Sequence, residues 1–143
     1  MEKATVVWSG SYSIDSVKQK FNSYKDFGIY LFTRLWGDSE TLLYIGRVYG
    51  IEYWRCFADR LPEHNWLSDL RGNIRVRIGR VRLSGSRKQS LERMKDIESL
   101  LIYAHQPIEN VQSTSWYYGR ELKIKNIGRK GPLKSEICSK DCT

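Results

Sequence analysis

Two runs of mostly apolar residues, 28–35 and 41–48, flank the turn-forming segment 37–39. Apolar runs separated by glycine, aspartate and serine are typical of paired strands. The pattern therefore predicts an antiparallel hairpin of GIYLFTRL and TLLYIGRV. Upstream, residues 4–8 have the composition of a short strand, and the apolar residues of segment 14–24 recur at the spacing of a helical face.

A second helix and a long strand follow the hairpin. Apolar residues at positions 54, 57, 58 and 61 recur at helical spacing, and Pro62 is expected to end or kink this helix. In residues 73–83 apolar residues alternate with arginines, but the alternation slips by one at Gly79. A β-bulge at Gly79 would let the apolar residues on both sides of it point to the same face of the sheet. The outer side of the sheet would then carry a row of arginines: Arg75, Arg77, Arg80 and Arg82.

The last predicted helix begins at Ser90, a residue type that favours N-caps, and ends before Pro107. An aromatic and then basic segment follows it, with one more strand or hairpin near residues 121–125. This order predicts an α+β fold with a small central antiparallel or mixed sheet of about three strands flanked by α-helices. The expected division is an N-terminal extension packed on the core, a central domain and a C-terminal extension: residues 1–27, 28–115 and 116–143.

Composition and charge narrow the class of partner. The 143 residues suit one domain, with 41% hydrophobic and 28% charged residues. No apolar run is long enough to cross a bilayer, and the N-terminal residues lack the pattern of a secretory signal, so we expect no membrane partner and a cytoplasmic location. The net charge of +8 indicates a polyanionic partner, although such a charge can also serve solubility alone. Cys138 and Cys142 would supply at most half of a zinc site, and we expect thiols there.

Glu98 lies on the apolar side of the last predicted helix. At about 100° per residue it falls within the arc of its apolar neighbours. A carboxylate facing the core must be paired, neutralised or bound to a metal. Two roles are therefore possible for Glu98: it could bind a metal, or it could form a structural ion pair with one of the many arginines.

Four further side chains are candidates for chemistry. Arg60 and His64 are four residues apart, and Pro62 between them decides whether they share a helical face. Arginine suits a phosphate because its fixed charge bonds two oxygens at once, while a surface ion pair is the ordinary alternative. Tyr30 and Tyr44 each lie near a glycine that lets another backbone or a ligand approach closely.

These residues occur in a familiar order. GIY at 28–30 and YIG at 44–46 precede Arg60 and His64, and Glu98 is followed twelve residues later by Asn110. Over residues 28 to about 112 the chain resembles the GIY-YIG nuclease domain, whose members hydrolyse DNA with one divalent ion. The resemblance implies a central antiparallel sheet flanked by helices, in a divalent-metal-dependent DNA endonuclease that uses Mg²⁺ or Mn²⁺.

The resemblance also assigns roles. Glu98 would ligate the metal, Arg60 would hold the scissile phosphate, and Tyr44 would support Tyr30. Tyr30 would either deprotonate the attacking water or only align it, because an ordinary phenol is about 0.1% ionised at pH 7. Asn110 would brace the site, and His64 would belong to it.

The basic residues predict how DNA is held. The expected contacts are Arg47, Arg75, Arg77, Arg80, Arg82, Arg87, Lys88, Lys123, Lys125, Arg129 and Lys130. A non-catalytic nucleic-acid-binding module on the same fold is the alternative function, with aromatic residues 116–118 available for stacking on bases. Target choice would come from the basic tail, from a protein partner or from a second subunit.

Overall fold

Six strands form one sheet in the computed structural model, which describes residues 1–23, 27–49, 56–64, 67, 70–85 and 88–142. The strands are β1 (Glu2–Tyr12), β2 (Gly28–Trp36), β3 (Ser39–Val48), β4 (Asn73–Leu83), β5 (Leu122–Gly128) and β6 (Glu136–Cys138). They lie side by side in the order β3-β2-β4-β1-β5-β6. Strands β1 and β5 run parallel, and the other neighbours in this order are antiparallel.

Helices occupy a smaller part of the described chain. They are α1 (Ile14–Lys20), α2 (Phe57–Arg60) and α3 (Leu91–His105), with 3₁₀ turns at Leu61–Glu63 and Ser139–Cys142. Ser90 caps α3 as predicted, because its hydroxyl accepts a hydrogen bond from the Arg93 amide at 3.2 Å. Tyr24 and Trp54, which belong to the predicted helix faces, lie outside the described residues. No helix in the described ranges is both long and apolar enough to span a membrane.

The predicted hairpin is confirmed, but the predicted fold class is wrong. Strands β2 and β3 pair from Gly28–Val48 to Trp36–Ser39. However, the sheet is mixed, has six strands and curls into a half-barrel, whereas three strands flanked by helices were expected. The difference comes from the chain ends, since β1 lies inside the sheet between β4 and β5, and β5 pairs with β6.

The sheet is covered on both faces by two separate apolar clusters. On one face, called the α3 face, Val6 and Leu31 pack with Ile97 of α3. On the other, called the α1 face, Val17 of α1 and Phe57 of α2 pack with Ile78. Covered faces on both sides explain why β2 is apolar at almost every position.

The predicted bulge at Gly79 is wrong. Strand β4 pairs without a register shift through Gly79, which lies opposite Trp8 and Ile29. The slip in alternation arises because β4 changes its buried face: Ile78 belongs to the α1 face, whereas Val81 packs on the α3 face. Successive residues of a strand point to opposite faces, so the arginines are divided between the faces and form no single row.

Candidate active site

A cleft of about 440 Å³ opens at the outer edge of β3, where the two faces of the sheet meet. Tyr44 and Arg60 line it from the α1 face, and Glu98 lines it from α3. Arg47 and Asn110 complete this part of the wall. The sheet edge therefore brings together groups that belong to opposite faces.

The two sequence motifs meet because their glycines remove side chains. Tyr30 lies opposite Gly46 in the β2–β3 ladder. A Cβ on Gly46 would lie 2.3 Å from Cζ and 2.4 Å from the hydroxyl oxygen of Tyr30, which no packed structure tolerates. Gly28 is just as constrained, since a Cβ there would lie 2.1 Å from the Gly79 carbonyl oxygen. Gly46 thus lets the buried Tyr30 side chain lie across β3.

Tyr30, Tyr44 and His64 form one aromatic group beside the cleft. The Tyr30 hydroxyl is 2.7 Å from Nε2 of His64. The ring centroids of Tyr44 and His64 are 4.4 Å apart, and those of Tyr30 and Tyr44 are 6.1 Å apart. His64 reaches this position because the 3₁₀ turn containing Pro62 follows α2 directly and ends at Glu63, which makes His64 its C-cap.

Burial sets the protonation states of this group. It raises the pKa of Tyr30 well above the usual value and also raises the pKa of Tyr44, while the Arg60 guanidinium acts in the opposite direction on both. Burial, and secondarily the Arg60 charge, lowers the pKa of His64 to about 4. At neutral pH both phenols therefore keep their protons, and the imidazole is neutral and able to accept one.

Glu98 is paired with a neighbouring arginine. Its Oε1 accepts a hydrogen bond from Nη1 of Arg47 at 2.7 Å, and the Glu98 side chain is 14% exposed. The Glu98 charge also raises the pKa of both Tyr30 and Tyr44, so the carboxylate acts on the same small volume as the phenols. The described residues contain no group of three or more acidic, histidine or cysteine side chains placed to hold a metal.

Asn110 binds the backbone of the YIG strand. Its Oδ1 accepts from the Ile45 amide at 2.9 Å, and its Nδ2 donates to the Ile45 carbonyl at 3.0 Å. The amide of Glu109 also donates to the Leu43 carbonyl at 2.7 Å. Residues 109–110 therefore satisfy the outward-facing backbone groups of an edge strand, which would otherwise be exposed.

Comparison with other proteins adds no assignment. No protein-family model, curated protein or solved structure matches this chain.

The structure places the six predicted catalytic residues together at one edge of the sheet. Tyr44, Arg60, Glu98 and Asn110 line the cleft, and Tyr30 and His64 contact Tyr44. Sequence reasoning missed Glu109, a second carboxylate on the cleft wall. Its position directly before Asn110 was the signal that could have identified it. The pairing of Arg47 with Glu98 was also not predicted for that particular arginine, although an arginine partner was one open alternative.

The predicted DNA-contacting residues do not share one surface. Arg77 binds both carboxylate oxygens of Glu40, at 2.8 and 2.7 Å, and Arg75 binds the Ser11 carbonyl at 2.8 Å. These contacts join neighbouring parts of the protein on the α3-face side of the sheet. Lys123 pairs with Glu136, and Lys130 donates to the Leu133 carbonyl at 2.6 Å.

The remaining predicted contacts are more accessible. Arg80, Arg82, Lys88 and Lys125 are exposed, and the Arg129 carbonyl accepts from Arg77. Arg87 lies outside the described residues. Cys138 lies in β6, and Cys56 and Cys138 are both thiols.

Proposed function

We propose that this chain is a DNA endonuclease of the GIY-YIG type that hydrolyses a phosphodiester bond with one divalent metal ion. The observation that carries the proposal is the 2.7 Å contact between the Tyr30 hydroxyl and Nε2 of His64, beside a cleft that also holds Arg60 and Glu98. A structural tyrosine needs only a hydrogen-bond acceptor. A tyrosine bonded to a histidine that is neutral at pH 7 can also pass a proton on.

The proton path follows from the protonation states. Because the pKa of Tyr30 is raised, its phenol is neutral in the free protein and is not a preformed base. As a water oxygen forms its bond to phosphorus, the water proton moves to the Tyr30 oxygen and the Tyr30 proton moves to Nε2 of His64. The phosphorus–oxygen bond of the leaving group breaks in the same displacement. Of the two roles open for Tyr30, relay through His64 is the one we propose.

Arg60 supplies fixed positive charge for the phosphoryl oxygens. Its guanidinium lowers the pKa of all three ionisable rings, so its field covers the place where the attacking oxygen would lie. Charge builds on these oxygens during displacement, and a preorganised cation stabilises that state more than the ground state. We assign Tyr44 to packing against the His64 ring, which keeps the imidazole oriented.

The donor set suits a weakly held Mg²⁺ or Mn²⁺. Such an ion keeps several waters and takes oxygens from substrate phosphates, so one or two carboxylates are enough protein ligands. Glu98 would hold it, with the Glu109 carboxylate on the same cleft wall. When bound, the ion would act as a Lewis acid on the phosphate and stabilise the leaving oxygen. Because Arg47 binds Glu98, substrate phosphates would have to draw Arg47 away from the carboxylate.

Glu98→Gln tests the proposal. It keeps the side-chain shape but removes the charge, so nicking of plasmid DNA in Mg²⁺ or Mn²⁺ should fall about 100-fold or more. The matched control is Glu92→Gln, on the exposed side of the same helix, which should cleave at the unaltered rate. Metal-dependent cleavage at full rate in Glu98→Gln would contradict the assignment.

A non-catalytic nucleic-acid-binding module is the second candidate. It is favoured by the Arg47–Glu98 contact of 2.7 Å, since a carboxylate kept only for structure would be paired in this way. Salt-dependent DNA binding without cleavage of plasmid, flap or branched DNA in either metal would support it.

For the endonuclease we propose a cytoplasmic location. Its DNA target would be selected by this chain, by a protein partner or by a second subunit.

A further inference from the structure

A second cleft adjoins the candidate active site. It has a volume of about 360 Å³ and shares Val111 and Ser113 with the catalytic cleft. Trp116 and Tyr118 line it from one side and Ser99 of α3 from the other. The two clefts therefore lie next to each other and share part of one wall.

The aromatic residues of this second cleft are presented to solvent on an anchored segment. Trp116 is 66% exposed and Tyr118 is 88% exposed. Tyr117 between them packs on the α3-face cluster, and its hydroxyl donates to the Arg120 carbonyl. Because the Tyr117 side chain points toward the core, the side chains of its two neighbours, Trp116 and Tyr118, point toward solvent.

Contacts to α3 hold the rest of the segment. The Arg120 guanidinium binds Asp96 at 3.2 Å, and the Thr114 carbonyl accepts from Gln106 at 2.6 Å. Ser113 donates to Ser99 at 3.4 Å. A segment fixed at these points presents its aromatic rings without paying a large ordering cost on binding.

We propose that this cleft binds an unstacked nucleobase of the DNA strand whose phosphate occupies the catalytic cleft. Exposed aromatic faces stack on any base, and the serine and threonine hydroxyls lining the cleft can bond base edges. Its position next to the phosphate cleft would place base and phosphate in neighbouring positions of one strand. The inference rests on the proposed function and adds a substrate class: DNA with an unpaired or extruded base beside the cut.

Binding in the absence of metal tests the inference without cleavage. The probe is a single-stranded oligonucleotide that carries 2-aminopurine, and a fully paired duplex of the same length serves as comparison. Trp116→Ala and Tyr118→Ala should each weaken single-strand binding roughly 5- to 100-fold, the range for loss of one stacking partner. They should also restore the fluorescence that stacking quenches. Duplex affinity should change much less.

Trp36→Ala is the matched control. Trp36 is 69% exposed, close to the exposure of Trp116, but lies at the end of β2 beside the hairpin turn. It should bind both DNAs as the unaltered protein does. Unchanged circular dichroism in all variants would exclude misfolding.

Several results would overturn the inference. Equal affinity in all three variants, or equal losses for single strand and duplex, would remove the base site. Loss of concentration-dependent self-association in the same variants, with DNA binding intact, would assign the rings to a contact between copies. Because binding is measured without metal, failure of Glu98→Gln to abolish cleavage would count against the proposed function alone.

Discussion

Gly46 and Tyr30 explain why a glycine follows the second motif tyrosine by two residues. The Tyr30 ring occupies the space that any side chain at position 46 would need. The glycine is therefore part of the site although it has no chemistry of its own.

Gly46→Ala should lower both stability and activity, because the added methyl displaces the Tyr30 ring. We expect a loss of about 1–3 kcal/mol in the free energy of unfolding, typical of an overpacked core. Urea denaturation measures it. In the background of Tyr30→Ala the same change should cost much less, and equal costs in both backgrounds would show that the two residues do not compete for space.

His64 should limit activity only in acid. In the proposed relay His64 must be neutral to accept the Tyr30 proton, and its pKa is lowered to about 4, so kcat/KM should remain level as pH falls from 7 to about 5 and decline below that. His64→Gln should cleave far more slowly at every pH. Proton NMR of the metal-free protein gives the direct value, and a His64 midpoint near 6.5 would refute the buried geometry.

The same shift has a consequence for folding. The unfolded chain binds a proton on this histidine near pH 6.5, whereas the folded one does so near 4. Protonation of His64 therefore favours the unfolded chain in this pH range. The free energy of unfolding is unaffected by His64 above pH 6.5 and decreases as pH falls toward 4.

The residue scale was the most predictable from sequence. The tyrosines, Arg60, Glu98 and Asn110 could be proposed together because the resemblance names them, and helical phase marks Glu98 independently. The contact between His64 and Tyr30 could not be predicted, because it depends on how the turn containing Pro62 leaves α2. The Arg47 partner of Glu98 could not be chosen among the many arginines for a similar reason: it depends on how α3 crosses β3.

At the scale of elements, residues 109–110 take the place of the neighbouring strand that the outer edge of β3 lacks. The edge of a sheet exposes unpaired amides and carbonyls, and here the Asn110 side chain and the Glu109 amide satisfy three of them. The loop after α3 thereby ties the helix that carries Glu98 to the strand that carries Tyr44.

Asn110→Ala should therefore loosen the site as well as the edge. Loss of two hydrogen bonds to Ile45 should cost about 1–3 kcal/mol of unfolding free energy, measured by urea denaturation. Cleavage should fall as well, because the loop would no longer hold the helix that carries Glu98 against the strand that carries Tyr44. Ile108→Ala is the control, because Ile108 is an exposed neighbour in the same loop that lines neither cleft, and it should leave both quantities unchanged. A stability equal to that of the control would contradict the bracing role.

Strand β4 shows the limit of periodicity at this scale. A slip of one residue in alternation has two physical causes, a bulge or a change of buried face, and the residues of β4 alone do not distinguish them. Here the helices cover different faces at the two ends of the strand, so the second cause applies.

At the scale of the molecule, part of the α1 face is basic. Cross-strand pairing aligns Arg82, Thr5 and Lys125 on β4, β1 and β5, and Arg80 lies one step along, over the ring of Phe21. These cations share the face of the sheet that carries Tyr30 and Tyr44, because cross-strand partners point to the same side. This surface is therefore the best candidate for contacts to flanking phosphates.

Replacing Arg82 and Lys125 by serine should weaken binding to all DNA sequences alike. Two lost phosphate contacts should lower the slope of log affinity against log salt by about 2. The control pair, Lys95→Ser with Lys134→Ser, removes the same charge from exposed positions near the two ends of α3. If affinity and salt slope fall equally in both double variants, the effect comes from net charge, and the α1 face is not a DNA-binding surface.

Whole-molecule architecture was the least predictable scale. The composition of residues 4–8 indicated a strand, but nothing local indicated that it would lie between β4 and β5. Parallel pairing joins residues that are distant in sequence, and its partner strand is rich in lysine. The three-stranded expectation failed because it counted only pairings between near neighbours in the chain.

The position of β1 also has a consequence for biosynthesis. The ribosome produces β1 before the other strands of the sheet, yet its pairing from Glu2 with Leu122 must wait until β5 has emerged. Until then Val6 and Trp8, fully covered in the finished sheet, are available to wrong partners. The nascent protein should therefore depend on chaperones more than a fold whose strands pair in the order of their synthesis, and should mature slowly after release.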